Sequence, residues 1–373
     1  MTTNTMTELS SNGVAMVTEE SGTKTSSLKN GTKKSKNSCC KDVVKRAVFI
    51  TDPGHVTYEP RNAFASYKKK KKKNSTLFPP PAGCDTGFGH ELAKRLDADG
   101  FQVLAGCLNP TSEGATMLRD FCSSSLRVLH LDVTREEHFR RASKTLAAEL
   151  GPRGLWAVVA NAGMMSAGEL EWGSSEAARY LFEVNVFGVV NTVRTALPFL
   201  RRQSGSRAII VASVAGRVTY PGLAFYCMSK HAVVSFADGL RREMRKWDIL
   251  VSTIEPVLYR TKMAQPEHIQ CTVDQSWQDT PEPVREAYGK SYFENFRSRC
   301  LDFLARRCRE DLYEVVDNMV HAVSSRHPRR SYFCGGASDK FRIALMRFMS
   351  KGTVDRLLCT INQSHVGRSV SDG

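Results

Sequence analysis

The sequence predicts an α/β fold in a single domain, built on a doubly wound parallel sheet. Short apolar runs of strand length alternate with segments of helical periodicity along most of the chain. This alternation is typical of parallel strands joined by helical crossovers. Glycine- and asparagine-containing stretches follow several of the runs, and such sheets bind ligands beyond the carboxyl ends of their strands. We therefore expect a ligand site at that edge.

The first predicted strand, at residues 48–51, precedes a glycine-containing stretch at 83–89 and a helix at 90–99. Apolar runs predict further strands at 101–107, 128–134 and 156–163, and one more that begins at 209 and ends in small residues by 216. Gly83, Gly87 and Gly89 would let the backbone approach a pyrophosphate at the N-terminus of the first helix.

Three side chains of the strand that begins at 209 and of the helix after it suggest chemistry. Ser213 follows the strand, and Tyr226 and Lys230 lie one helical turn apart. An ammonium group beside a phenol favours the phenolate, so the pair could exchange protons with an alcohol or a ketone. From the residues alone, an aromatic packing residue and a solvated lysine remain the alternatives, because Tyr67 and Lys71 have the same spacing within a lysine run.

These motifs together resemble the short-chain dehydrogenase/reductase family from about residue 44 to about 335. The resemblance is finest to the branch of retinol dehydrogenases, 17β-hydroxysteroid dehydrogenase type 2 and D-β-hydroxybutyrate dehydrogenase. Four stretches carry it: GCDTGFG at 83–89, RGLW at 153–156, EVNVFG at 183–188 and AYGKSY at 287–292. It implies a Rossmann-like fold with C-terminal helices that form a lid over the substrate.

The resemblance also implies a catalytic tetrad of Asn185, Ser213, Tyr226 and Lys230. Tyr226 would exchange a proton with the substrate oxygen, and its usual pKa of about 10 would have to be lowered by Lys230 and a positive nicotinamide ring. Ser213 would hold the substrate oxygen, and Asn185 would position a water beside Lys230. Alternatively, Asn185 is a polar helix residue that caps neighbouring backbone.

The implied cofactor is NAD, with NADP left open. Its binding residues would be Gly83, Gly87, Phe88, Gly89, Asp132, Asn161, Gly163, Tyr226, Lys230 and Thr261. The stretch 107–111 after the second strand has neither the acidic residue that reads a ribose hydroxyl nor an arginine that reads a phosphate, so NAD is favoured modestly. Two further departures from the family pattern are Val257 after Pro256, in place of glycine, and Ala160, in place of a first asparagine.

The expected substrate is a lipophilic alcohol or ketone of the retinoid or steroid class, with 3-hydroxybutyrate as the alternative. Five residues of the C-terminal part offer apolar surface for it, or belong to the ordinary core: Tyr259, Met263, Tyr288, Tyr292 and Phe293. Family members are commonly dimers or tetramers, so we expect a homo-oligomer. The eleven cysteines are scattered without paired spacing, which argues for a reducing compartment and against a disulfide framework or a metal site.

One segment departs sharply from the family pattern. Thr51 should be followed at once by Gly83, yet residues 52–82 intervene and contain six consecutive lysines. We interpret this segment as a retained intron or a gene-model error, which its detection by peptide mass spectrometry in native protein would contradict. If the segment is native, it either loops outward or abolishes cofactor binding, and a catalytically impaired binding protein becomes the alternative function.

The net charge of +15 raises a nucleic-acid alternative. Residues 52–82 hold six lysines and one arginine against two acidic residues, and so carry +5 of that charge. A lysine run without interleaved aromatic residues binds polyanions without selectivity, so we expect no specific nucleic-acid function.

The two ends of the chain are predicted to lie outside the domain of residues 44–335. Residues 1–43 are polar and are expected to be disordered, whereas 336–373 form an amphipathic extension. Phe341, Leu345, Phe348 and Met349 share one face of this extension, which could pack on the domain or lie on a membrane surface. No run approaches the length of a membrane helix. We expect an intracellular protein, cytoplasmic or peripheral on a membrane, with a mitochondrial location left open.

Overall fold

Seven parallel strands form one sheet in the computed structural model, which describes residues 46–51 and 87–362. The strands are β1 (Ala47–Thr51), β2 (Gln102–Cys107), β3 (Leu126–His130), β4 (Ala157–Ala160), β5 (Arg207–Val211), β6 (Leu250–Pro256) and β7 (Ser331–Cys334). Their order across the sheet is β3-β2-β1-β4-β5-β6-β7. The order reverses between β1 and β4, so the predicted doubly wound α/β fold is confirmed.

Helices connect the strands and cover both faces of the sheet. They are α1 (Phe88–Ala98), α2 (Glu113–Phe121), α3 (Glu136–Leu150), α4 (Ser175–Phe182), α5 (Gly188–Leu200), α6 (Ala224–Met244), α7 (Pro266–Gln278), α8 (Glu282–Tyr288), α9 (Lys290–Arg307), α10 (Tyr313–Ser324), α11 (Ala337–Phe348) and α12 (Lys351–Asn362). A π-helical turn at Glu183–Phe187 joins α4 to α5.

Two apolar layers account for the cohesion of the sheet and its helices. Successive side chains of a strand point to opposite faces, so Ala47 and Phe49 pack with α3, α5 and α6, whereas Val48 and Ile50 pack with α1, α2 and α10. All five residues of β1 are buried, as expected for a central strand covered on both sides. Phe88 packs in the same layer as Ile50, so β1 and α1 share a core on either side of residues 52–86.

The observed strand ends differ from the predicted ones by a few residues, most clearly in β3. We predicted this strand to reach residue 134, but it ends at His130. The Asp132 carboxylate accepts hydrogen bonds from the backbone N–H and the hydroxyl of Thr134, at 2.9 and 2.7 Å. This local bonding competes with strand pairing and turns the chain. The expectations for residues 1–43, for the insert at 52–82 and for Gly83 lie outside the described residues.

The C-terminal helices build two further apolar clusters. The first, termed the lid cluster, lies among α7, α8 and α9 and the loop before α4; its buried members are Met165, Ala167, Trp172, Ala264, Ile269, Val273, Phe293, Phe296 and Leu304. In the second, Ile343 and Met346 of α11 are buried against Val214 and Val218. The inner face of α11 therefore packs on the loop that follows β5. None of the helices within 87–362 is both long and apolar enough to cross a membrane.

Candidate active site

Ser213 lies two residues beyond β5 and caps a single 3-10 turn formed by Val214–Gly216. Its Oγ accepts a hydrogen bond from the Ala215 backbone N–H at 3.1 Å and donates to the Pro256 carbonyl oxygen at 3.4 Å. The residue is buried. The hydroxyl is thus held at the carboxyl end of the sheet, where the sequence predicted it.

Tyr226 stands in the first turn of α6, with its phenol near enough to Ser213 for that hydroxyl to influence its pKa. Burial raises the pKa of Tyr226 to about 12, and the nearby Ser213 hydroxyl opposes that shift. Burial, rather than the charge of Lys230, therefore dominates the Tyr226 pKa in the protein alone. The ring also packs against the lid cluster, so the phenol is bordered by apolar side chains.

Lys230 lies one helical turn beyond Tyr226, and only 4% of the residue is exposed. Its Nζ donates to the Val211 carbonyl oxygen at 3.2 Å and lies 5.9 Å from the centre of the Tyr226 ring. Burial lowers the pKa of Lys230 to about 8. The ammonium form of Lys230 still predominates at pH 7, so a positive charge lies near the Tyr226 ring.

Asn185 sits in the π-helical turn, a distortion that is frequent at functional sites. It is fully buried. Its Oδ1 accepts from the Met164 N–H at 2.7 Å, and its Nδ2 donates to the Met164 carbonyl at 2.9 Å and to Ser229 Oγ at 3.0 Å. The amide thus ties the loop after β4 to α6. One lone pair of Oδ1 is left for a further donor.

Gly163 brings the loop after β4 against the same lysine. A β-carbon at this position would lie 3.3 Å from Lys230 Nζ and 3.4 Å from Asn185 Oδ1. Asn161, two residues earlier, is anchored by its backbone N–H, which donates to the Thr51 carbonyl oxygen at 3.2 Å. The ends of β1 and β4 therefore meet near Lys230 and Asn185.

Gly87 begins α1 with φ +112° and ψ −168°, a backbone conformation that suits glycine alone. A β-carbon on it would lie 3.9 Å from Thr261 Cγ2, its one neighbour within 4 Å among the described residues. Gly87 is the N-cap of α1 and makes no side-chain capping hydrogen bond, so the first backbone N–H groups of the helix have no partner within the helix itself. Phe88 and Gly89 follow in the first turn, and Gly89 is buried. The structure thus brings Gly87 and Thr261 together.

Asp132 uses its carboxylate within its own loop. Besides Thr134, its Oδ2 pairs with Arg135 Nε at 3.3 Å, and its backbone N–H donates to His138 Nδ1 at 2.9 Å. The His138 ring lies against that of His130, with 4.4 Å between ring centroids. The loop is therefore fixed, and the role of Asp132 toward an adenine ring stays a prediction.

The five residues that we expected at the substrate divide into two groups. Tyr259 is a core residue: it packs edge-on against Phe88, with centroids 5.7 Å apart, and its hydroxyl donates to Glu314 at 2.7 Å. Four others belong to or border the lid cluster, together with Tyr226: Met263, Tyr288, Tyr292 and Phe293. Trp172 lies at the centre of this cluster, in contact with five aromatic rings.

Sequence reasoning missed several residues that support the site. Ser229 Oγ donates to the Tyr226 carbonyl at 2.7 Å and accepts from Asn185, a role that its place just before Lys230 could have suggested. Arg119 of α2 donates to the Pro110 carbonyl at 2.5 Å, so a cation does stand at the loop after β2. Its separation from that loop along the chain hid it, because contacts across a helix are not readable from a local stretch.

Val257 stands where the family pattern has a glycine, and Gly335 on the neighbouring segment leaves room for its side chain. A β-carbon on Gly335 would lie 2.9 Å from Val257 Cγ1 and 3.0 Å from Phe333 Cε1. The Val257 backbone N–H also donates to the Cys334 carbonyl at 2.9 Å. The Val257 side chain therefore fills space that Gly335 leaves, and the backbone that leads to Thr261 is fixed to β7.

Comparison with known proteins gives a consistent result. The family model of the short chain dehydrogenases matches residues 82–271, beginning where the predicted insert ends. The chain is 38% identical over 264 residues to 17-beta-hydroxysteroid dehydrogenase type 6 of Bos taurus, covering 70% of this chain and 82% of the relative. It is 37% identical over 276 residues to retinol dehydrogenase 16 of Rattus norvegicus, covering 74% of this chain and 85% of the relative.

Solved structures show the same fold at lower identity. A short chain dehydrogenase/reductase from Burkholderia phymatum, solved in complex with NAD, superposes with a TM-score of 0.59 at 20% identity, covering 81% of this chain and 92% of that one. A short chain dehydrogenase from Burkholderia cenocepacia J2315, solved in complex with NADP, superposes with a TM-score of 0.56 at 19% identity, covering 84% and 98%.

Proposed function

Because this chain belongs to the short-chain dehydrogenase/reductase family and is an oxidoreductase of that family, we propose that it interconverts a hydroxyl and a carbonyl group on a retinoid or steroid, using NAD. The observation that carries the proposal is the convergence of Ser213, Tyr226 and Lys230 at one edge of the sheet, with Lys230 Nζ 5.9 Å from the centre of the Tyr226 ring and bonded to the Val211 carbonyl at the end of β5. The similarity to a hydroxysteroid dehydrogenase and a retinol dehydrogenase supports the substrate class.

The residues present fit a nicotinamide dinucleotide. Among the described residues, only Thr261 comes within 4 Å of a β-carbon built on Gly87, so a pyrophosphate could approach the N-terminus of α1 and its amides there. Gly83, Gly89 and Phe88 would complete the turn, Asn161 and Gly163 would line the ribose, and Asp132 would contact the adenine region. Thr261, next to Gly87, would hold the carboxamide. When bound, the cofactor supplies hydride transfer.

The protein residues would handle the proton that accompanies the hydride. Tyr226 would remove it from the substrate hydroxyl in oxidation and return it in reduction, while Ser213 holds the same oxygen by a hydrogen bond. The Lys230 charge would stabilise the phenolate. Asn185, with one free lone pair on Oδ1 near Gly163, would hold a water that carries the proton away from Lys230.

The lid cluster supports a lipophilic substrate. Tyr226 is packed against it, so a substrate oxygen at the phenol has mainly aromatic and aliphatic side chains around its carbon skeleton. Such a wall favours a retinoid or steroid over 3-hydroxybutyrate, whose short chain would cover little of this apolar surface. The test is turnover of retinol, a 17β-hydroxysteroid and 3-hydroxybutyrate with NAD and with NADP. Both cofactors are needed because Arg119 stands at the loop after β2. Turnover of 3-hydroxybutyrate alone would contradict the substrate class.

Cofactor binding by the full chain tests the proposal most directly. We expect NADH to bind, by fluorescence, both to the full chain and to a chain without residues 52–82, because β1 and α1 share one core on either side of that segment. Binding only after excision would favour the impaired-protein alternative for the full sequence. Failure of both forms to bind would overturn the enzyme proposal.

We further propose that α11 touches an anionic membrane surface and that the protein forms a homo-oligomer, as family members commonly do. Phe341 and Phe348 are 70% and 90% exposed on the outer face of α11, and Arg347 and Lys351 are exposed beside them. An apolar face flanked by basic residues suits such a surface. In a flotation assay, the wild type should rise with vesicles that contain phosphatidylserine, whereas a Phe341→Ser/Phe348→Ser variant should not. Sedimentation gives the oligomeric state.

A further inference from the structure

An ion pair between a half-buried arginine and a buried glutamate adjoins the loop that carries Ser213. Arg217 Nε donates to Glu255 Oε2 at 3.0 Å and Nη2 donates to Oε1 at 2.6 Å, a two-pronged contact. Thr253 and Ser331 donate to the same Oε1 at 2.7 and 2.8 Å. Despite burial, these partners hold the pKa of Glu255 below its usual range. The Glu255 carboxylate is therefore charged, and both of its oxygens accept hydrogen bonds. The residue lies on β6, directly before Pro256.

The loop that carries Ser213 is also fixed on its other side, where it packs against α6. A β-carbon on Gly216 would lie 2.7 Å from the Lys230 carbonyl oxygen and 3.0 Å from Val234 Cγ2, so the 3-10 turn rests directly on α6. Ser213 begins this turn, and Arg217 follows it. The segment between them is thus held between α6, which carries Tyr226 and Lys230, and β6.

The hydrogen bonds of the Ser213 hydroxyl fix its position only weakly. Its hydrogen bond to the Pro256 carbonyl is long, at 3.4 Å, and the Ala215 contact lies within the turn and moves with it. Pairing Arg217 with Glu255 fixes the turn to the strand that carries Pro256. Buried ion pairs commonly add little net stability compared with apolar side chains, so conformational specificity is a better reason for this one.

We propose that the Arg217–Glu255 pair is a positioning device that sets the distance of the Ser213 hydroxyl from Tyr226 and from the substrate oxygen. The inference rests on the proposed function. Neither residue touches the substrate; both act through Ser213. Since misplacement by about 1 Å can cost on the order of 100-fold in rate, loosening the turn should lower turnover rather than binding.

A double-mutant cycle in the full chain tests the proposal. Glu255→Gln keeps the shape of the side chain and removes its charge, and we expect kcat to fall roughly 10- to 100-fold while KM and NADH affinity stay near wild type. In a Ser213→Ala background the same change should have no further effect, because the group being positioned is gone. Equal losses in both backgrounds would show a general structural role and overturn the inference.

The cycle also separates this inference from the proposed function. A Ser213→Ala variant with wild-type turnover would refute the proposed role of Ser213. If Ser213→Ala lowers kcat strongly and Glu255→Gln lowers it further by the same factor as in the wild type, only the positioning role is refuted. Glu149→Gln is the control, since Glu149 also pairs with an arginine, Arg127 at 3.5 Å, and accepts from the neutral side chain of Gln102 at 3.1 Å, toward the opposite edge of the sheet. It should leave kcat unchanged.

Two further measurements test the proposal if the Glu255→Gln variant does not fold or if the protein shows no turnover with the substrates tried. Arg217→Lys keeps the charge but cannot make two parallel hydrogen bonds, so a folded variant with a kcat several-fold below wild type is expected. Wild-type kcat in Arg217→Lys would contradict the proposal. A crystal structure of either variant should show Ser213 Oγ displaced from the Pro256 carbonyl, and an unmoved Ser213 would overturn the inference without any assay of turnover.

Discussion

Gly163 lies so close to Lys230 that a β-carbon on it would stand 3.3 Å from the ammonium nitrogen. The same carbon would lie 3.4 Å from Asn185 Oδ1. Glycine is therefore needed here for close approach rather than for an unusual backbone angle, since Gly163 is not among the described residues with positive φ. The loop after β4, the π-helical turn and α6 meet at this one point.

Replacing Gly163 with alanine should lower turnover more than stability. The added methyl group must push Lys230 or Asn185 aside by a few tenths of an ångström, and such shifts at a reacting centre cost roughly 10- to 100-fold in kcat. The free energy of unfolding should change by about 1 kcal/mol, because the neighbouring atoms need to give way by only a few tenths of an ångström. Steady-state kinetics and urea unfolding measure the two. Gly239→Ala is the control, because a β-carbon there has no neighbour within 4 Å among the described residues outside its own helical turn.

Replacing Lys230 with methionine should stabilise the fold while removing activity. Burial lowers the Lys230 pKa from 10.5 to about 8, so below pH 8 the folded state holds a charge that costs up to about 3 kcal/mol. Loss of the bond to the Val211 carbonyl offsets about 1 kcal/mol, which leaves a net gain of about 1–2 kcal/mol at pH 7. We expect kcat to fall about 10²- to 10⁴-fold.

The pH dependence of that stability gain provides its own check. Because the folded pKa is the lower one, the cost is full below pH 8 and disappears between pH 8 and 10.5, as the unfolded chain also loses its proton. Urea unfolding of wild type and Lys230→Met should therefore differ most near neutral pH and converge at alkaline pH. A difference that stays constant across this range would show that the charge of Lys230 is not the cause.

The sequence indicated the fold, and the shared helix face of Tyr226 and Lys230, because both depend on local signals. Apolar runs mark the strands, and the four-residue spacing of Tyr226 and Lys230 directly gives one helix face. The end of β3 was misplaced because the Asp132 side chain bonds to backbone two residues on, and apolar patterning does not record such bonds. Arg217 and Glu255 escaped notice because their contact joins residues 38 apart along the chain.

Replacing Gly335 with alanine should destabilise the protein through one identifiable contact. The new β-carbon would lie 2.9 Å from Val257 Cγ1 and 3.0 Å from the Phe333 ring, and overpacking of this kind costs about 1–3 kcal/mol. In a Val257→Gly background the cost should be smaller, since the closest clash is gone. Urea unfolding of the two single variants and the double variant measures the coupling. An identical cost in both backgrounds would mean that Val257 does not limit this position.

Acidification should loosen the loop after β3 through His138. This buried ring accepts the Asp132 N–H on Nδ1, and burial, with His130 and Arg141 nearby, lowers the His138 pKa below its usual 6.5, against the opposing charges of Asp132 and Glu137. With the folded pKa depressed, the unfolded chain binds the proton more readily. The stability that His138 contributes is therefore full above about pH 6.5 and declines as the pH falls below it.

A His138→Gln variant tests this pH dependence, because its amide oxygen can accept the same backbone N–H without taking up a proton. The free energy of unfolding of the wild type should fall more steeply than that of the variant as the pH decreases from about 7 to about 5. Hydrogen exchange at the Asp132 amide should accelerate in the wild type alone over the same interval. Parallel pH profiles of the two proteins would assign the acid sensitivity to other groups, since the proton would then not enter at this ring.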